Sequence, residues 1–246
     1  MTGLFTSAKS VFCRASQHIT SLKTEINTFT PGKPYTYTVD VDADGITHKF
    51  KFSESFSDDI SCIMFDAINN LRASLDHMTY AIAVNHCGRD DIQALFPFAK
   101  DAAHWPAKIN GLKDVPSEIC AVFKRFKPYK GGNDILWAIN YMANIKKHAV
   151  LIPVGFGRAA LWESDPGCDT TIHGVWNSKT NEIVLRTTRD ANFEAKRNFT
   201  YSIVIHDAEE IIDGESPVML LDAMSGEVNR VLMATEAECR RIGFIA

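Results

Sequence analysis

The chain has 246 residues, 46% apolar and 23% charged, with a formal charge of −4. That length supports a sizeable core, and the composition is that of an ordinary soluble globular protein. The acidic balance argues against a surface that coats nucleic acid, DNA included, and no apolar run approaches the roughly 20 residues needed to cross a bilayer.

The first stretch, MTGLFTSAKSVFCRASQH, carries Lys9 and Arg14 and no acid. It lacks a continuous apolar region and a cleavage site, so it does not read as a signal peptide. Its basic character would suit a transit-like segment, but we read it as the start of a helix over 7–29. Phe12, Ile19, Leu22 and Ile26 give that helix its stripe. TPGKPY then breaks it. YTYTVDVDADGITHKFKF alternates around a DADG turn and predicts two antiparallel strands, about 34–42 and 46–53.

A second long helix is expected from about 57 to 85, capped by Ser57 or Asp58 and stopped by Gly88. Residues 89–116 read as loop with short helices, and 117–126 as a short helix. A third long helix is expected over 133–148. Residues 150–206 read as strand-rich, with NSKTNE as a hairpin turn. The last helix spans about 217–240, with Val218, Leu221, Met224, Val228, Val231 and Leu232 as its apolar face. Long helices separated by strands, rather than alternating with them, predict an α+β fold. The expected architecture is a helical bundle of about four long helices, with an early β-hairpin and a β-rich segment near the C-terminus. No segment reads as an interdomain linker. A single domain over 1–246 is therefore expected, its helical core at 7–149 and 217–240 and its β-rich region at 150–206.

The chemistry concentrates on the second helix, in NNLRASLDHMTYAIA. Met64, Ile68, Leu75, Met78 and Ile82 fall within about 60° of Leu71 on a helical wheel and predict a buried stripe. Arg72 and Asp76 border that stripe on one flank, Asn70 and His77 on the other. Arg72 and Asp76, four residues apart, form an ordinary helix ion pair on the simplest reading. On the third helix, Asn133, Asn140, Asn144, Lys147 and His148 fall near one line with Trp137. Asparagine is a poor helix-interior residue because its side chain competes for backbone hydrogen bonds. Such a line predicts a polar surface that faces something. The alternative is a solvated face, its terminal Lys146, Lys147 and His148 favoured by the helix dipole.

Asn70-Leu71-Arg72-Ala73-Ser74-Leu75-Asp76-His77, then Pro128-Tyr129, then Asn144-Ile145-Lys146-Lys147-His148 resemble a bacterial family with an N-L-R-x-x-L-D-H helix, a P-Y segment and an N-I-x-K-H helix. The resemblance covers roughly residues 10–150 and implies no particular activity. Where members of that family carry His, Asp and Arg, this chain has Asn69, Lys146 and Ala149. A looser resemblance does imply chemistry. Arg72-x4-His77 on a bundle helix is similar to the motif of HEPN-type ribonucleases, helical proteins that act without a metal and usually as dimers, with Arg and His meeting across the interface.

That resemblance implies a metal-independent endoribonuclease, in a defence or stress system, leaving 2′,3′-cyclic phosphate ends. His77 would be the acid–base group, since imidazole titrates near neutrality. Arg72 would hold the phosphate, and Asn70 and Asp76 would orient these groups. Asn140, Asn144, Lys147 and His148 would bind substrate. The expected partners are RNA and a second copy of the chain, with no membrane, metal or cofactor. The rival is a binding module, in which Arg72–Asp76 and Asn70–His77 are structural and the 133–148 helix binds a protein or small ligand.

Other signals are thinner. Cys13, Cys62, Cys87, Cys120, Cys168 and Cys239 form no C-x-x-C pair, which suggests reduced thiols and a cytoplasmic location. His48, His173 and His206 lack ligand-type spacing. Walker and H-E-x-x-H patterns are absent, and the acidic 206–215 stretch lacks EF-hand spacing.

Overall fold

The computed structural model describes residues 3–29, 35–52, 58–145, 154–163, 171–177, 179–187, 197–205, 209 and 212–245. The fold is α+β. In chain order the elements are α1 (Thr6–Phe29), β1 (Tyr35–Val41), β2 (Ile46–Phe52), α2 (Asp58–Cys87), α3 (Trp105–Asn110), α4 (Ser117–Phe126), α5 (Asp134–Ile145), β3 (Val154–Glu163), β4 (Thr171–Asn177), β5 (Glu182–Thr187), β6 (Arg197–Ile205) and α6 (Pro217–Arg241). The chain divides into two compact units. One comprises Met1–Lys23, Ser61–Ile152 and Val218–Ala246; the other comprises Thr24–Ile60 and Pro153–Pro217.

The first unit is helical, and its core follows from the periodicity of α2. Met64, Ile68, Leu71, Leu75, Met78 and Ile82 are all fully buried, one apolar side chain every three or four residues. Gly88 ends α2 in the left-handed region, φ +68°, where a side chain would be strained. Its N–H donates to the Val84 carbonyl at 2.9 Å, and the chain reverses direction. Ile19 and Leu22 of α1 and Leu221, Met224, Val228 and Val231 of α6 are buried in turn.

Polar side chains tie the long helices at their borders. Lys9 and Lys23 of α1 reach Glu236 and Asp222 of α6 at 2.6 and 2.8 Å. Asn133 Oδ1 accepts from the Leu136 N–H at 3.1 Å and so caps the start of α5. The Asn133 amide also donates to Glu227 of α6 at 3.0 Å. The lysine bridges are largely solvated and add little stability; the buried stripes supply most of it.

The second unit is built on one antiparallel sheet, in the order β1-β2-β5-β4-β3-β6. β2 pairs β5 from Ile46↔Thr187 to Lys51↔Glu182, so the early hairpin and the later strands share one ladder. Phe50, Phe52, Ile183 and Leu185 fill one face. A Cβ on Gly174 would lie 2.7 Å from the Leu185 side chain; glycine there lets β4 lie close to β5. His48 is fully buried in this face. Its Nδ1 meets the Tyr37 hydroxyl at 2.7 Å and its Nε2 the Thr187 hydroxyl at 3.1 Å. A histidine satisfied at both nitrogens serves packing.

Candidate functional site

The polar residues bordering the α2 stripe go to two different places. Arg72 faces α5: its guanidinium donates to Asn144 Oδ1 at 2.9 Å, and the Asn144 amide donates to Asn140 Oδ1 at 2.9 Å. Asp76 lies 3.9 Å from Arg72 Nε, an attraction of charge. Among the described residues that buried Nε finds no hydrogen bond. Asn144 thus holds the arginine and Asn140 holds Asn144, at the open edge of α5, where Asn144 is exposed and Asn140 half-buried. Leu136, Ile139, Met142 and Trp137 are buried. Trp137 stacks on Tyr141 at 4.8 Å, with Lys130 Nζ 5.1 Å above its ring, close enough for a cation–π attraction.

His77, one residue after Asp76, faces α1. Its Nδ1 lies 2.7 Å from the Ser7 hydroxyl. Arg72 and His77 are therefore engaged by different helices and do not converge within one chain. Asn70 joins neither group. Its amide donates to the Asp66 carbonyl of its own helix at 2.7 Å, so Asn70 and His77 share a flank without being bonded to each other. Lys147 and His148 lie outside the described residues.

Beside His77 opens a cleft of about 940 Å³, at the upper end of small-ligand sites. The loop after α2 forms it. Gly88 sends the chain back along α2, and two hydrogen bonds pin it there. Tyr80 Oη donates to the Asp90 carbonyl at 3.0 Å, and the Phe96 N–H donates to Asp76 Oδ1 at 2.9 Å. Between the pins, Ile92, Ala94 and Leu95 line the cleft together with Ala81 and Val84 of α2, and with Leu4 from the turn before α1. Tyr80 and Leu95 stand at 40% and 59% exposure, so both meet solvent at the mouth of the cleft. Ser7, Asp76 and His77 form a polar cluster in a lining that is mainly apolar, with Asn85 and Gln93 as its other polar side chains.

The electrostatics of Asp76 follow from its position. Burial raises its pKa above the ordinary carboxylate value, and this outweighs the Phe96 N–H and the nearby Arg72 and His77, which pull it down. Among the described residues, no group of three or more His, Cys, Asp or Glu is placed to hold a metal ion. The five cysteines among the described residues are free thiols; burial pushes the Cys239 thiol up to about 11, which leaves it inert as a nucleophile.

Sequence reasoning missed Ser7, Tyr80 and Leu95. Ser7 lies 70 positions from His77, and no local pattern connects them. The Gly88 stop signal followed by an apolar QALFPF run is the sequence trace of the returning loop. Comparison with known proteins found no match: no family model, no curated protein and no solved structure. The site itself defines the class: an α+β protein whose helical unit carries a mainly apolar, histidine-edged cleft.

Proposed function

We propose that this protein is a binding module whose four long helices form a bundle and whose cleft beside His77 takes a mainly apolar small ligand with one polar end. The observation that carries this reading is the division of the α2 border. The Arg72 guanidinium is committed to Asn144, while His77 opens on an apolar cleft with Ser7 beside it. Arg72, Asp76, Asn140 and Asn144 then serve as an interhelical lock. The apolar walls supply affinity, and the polar cluster orients the ligand.

A dansyl-labelled undecanoate tests it. Binding is expected as a blue-shifted, saturable fluorescence rise. Leu95→Arg, at an exposed position on the lip, is expected to weaken binding about tenfold or more by placing a charge against the alkyl chain while leaving the melting temperature unchanged. No saturable binding to the wild type, or equal binding by Leu95→Arg, would overturn the reading.

A second reading keeps the HEPN-like ribonuclease. It is favoured by the exposure of His77, since such enzymes bring Arg and His together across a dimer rather than within one chain. On that reading, wild-type protein in EDTA cleaves an RNA pool to 2′,3′-cyclic phosphate ends, and His77→Ala abolishes the cleavage. Uncleaved RNA with a dimeric wild-type protein counts against it.

A further inference from the structure

We propose that Ser7 and His77 form a nucleophile–base pair that transfers the acyl group of an apolar ester held in the cleft. The inference rests on the cleft being a ligand site and adds chemistry to it. Three features meet there. The Ser7 hydroxyl and His77 Nδ1 are 2.7 Å apart, within the reach a base needs to take a proton from a nucleophile. Both residues line the cleft, so a bound carbonyl can approach Oγ. Ser7 stands in the first turn of a 24-residue helix with no acidic residue in that turn, where the positive end of the helix dipole favours developing negative charge.

The arrangement is a dyad. Asp76 is occupied by the Phe96 N–H and by Arg72, so the position of His77 is set by α2 and by Ser7 itself. The proton on the imidazole then sits on Nε2, and Nδ1 accepts from the hydroxyl.

The steps balance without an oxidant or a metal. The Ser7 Oγ–H proton passes to Nδ1 as Oγ bonds to the ester carbonyl carbon. The tetrahedral intermediate collapses, the ester C–O bond breaks, and the alcohol leaves with the proton from His77. A water gives a proton to His77 and adds to the acyl-serine. The C–Oγ bond breaks, the proton returns to Ser7, and a carboxylic acid departs. Leu4, Tyr80, Val84, Ile92 and Leu95 select an apolar acyl chain over a short polar one.

The purified full-length chain is treated with an alkyl fluorophosphonate, and the adduct is located by peptide mass spectrometry. Hydrolysis of p-nitrophenyl acetate, butyrate and octanoate is followed in parallel, with dansyl-undecanoate binding as the independent readout. Phosphonylation is expected on Ser7, with kcat/KM about tenfold or more higher for octanoate than for acetate. Ser7→Ala and His77→Ala are each expected to lose roughly 100-fold in hydrolysis while keeping the wild-type circular dichroism. In Ser7→Cys, iodoacetamide is expected to modify residue 7 faster than the exposed Cys13 and Cys62. Wild-type protein that binds the dansyl probe but shows neither Ser7 labelling nor Ser7-dependent hydrolysis overturns the dyad and leaves the binding reading standing. Protein that neither binds nor reacts overturns both.

Discussion

Phe123→Ala is expected to lower the unfolding free energy by about 3–5 kcal/mol, the range for deleting a fully buried aromatic ring. Phe123 has no solvent exposure, and it lies among Ile119 and Val122 on the buried face of α4. Its ring meets Phe96 edge-on, centroids 5.0 Å apart and planes at 64°, a favourable aromatic geometry. Phe96 is also the residue whose N–H holds Asp76. Removing Phe123 therefore loosens the loop pinned against α2, as well as leaving a cavity in the core. Thermal unfolding should show a midpoint lower by on the order of 10 °C. Dansyl-undecanoate should bind more weakly at temperatures where the variant is still folded. Phe123→Leu, which refills most of the space, is expected to cost about 1–1.5 kcal/mol. A variant that melts like the wild type would show that the Phe123–Phe96 contact does not fix the loop.

Asp76→Ala is expected to cost about 2 kcal/mol at neutral pH, because it leaves a part-buried N–H without an acceptor and Arg72 without its nearest counter-charge. Asp76→Asn retains an acceptor for the Phe96 N–H and should lose less. The two variants also separate the role of charge from that of the hydrogen bond. Burial raises the Asp76 pKa in the folded protein above its ordinary value of 3.8. From 3.8 up to that raised value, the folded state binds more protons than the unfolded state. Stability from this group is fully present below 3.8 and is lost as pH rises through the folded pKa. Urea denaturation of wild type and Asp76→Asn across this window measures the effect. The wild-type advantage should fall as pH rises and then level off. An advantage that grows with pH would mean that Arg72 and the Phe96 N–H outweigh burial.

The helices are legible in the sequence because each of them reports its own environment. The spacing of Met64, Ile68, Leu71, Leu75, Met78 and Ile82 carries the buried face of α2, and all six are fully buried. Gly88 marks the end of α2, and the DADG turn a reversal of the chain, for local steric reasons. The polar border of α2 is legible as a border, since Arg72, Asp76 and His77 interrupt an apolar pattern at fixed angles around the helix.

Which neighbour each of those side chains meets is not legible. The α5 asparagines read as a polar surface that faces something; that Asn144 meets Arg72 and Asn140 meets Asn144 is not in the pattern. Helical periodicity gives direction around an axis, and it carries no information about what lies in that direction. The sequence by itself determined the α+β class, the α2 stripe and the stop of α2 at Gly88. Only the tertiary structure decided that Arg72 turns to α5, that His77 turns to Ser7, and that the loop folds back to make an apolar cleft. Those contacts join residues up to 72 positions apart, and such long-range pairings arise from the packing of whole elements rather than from any local preference.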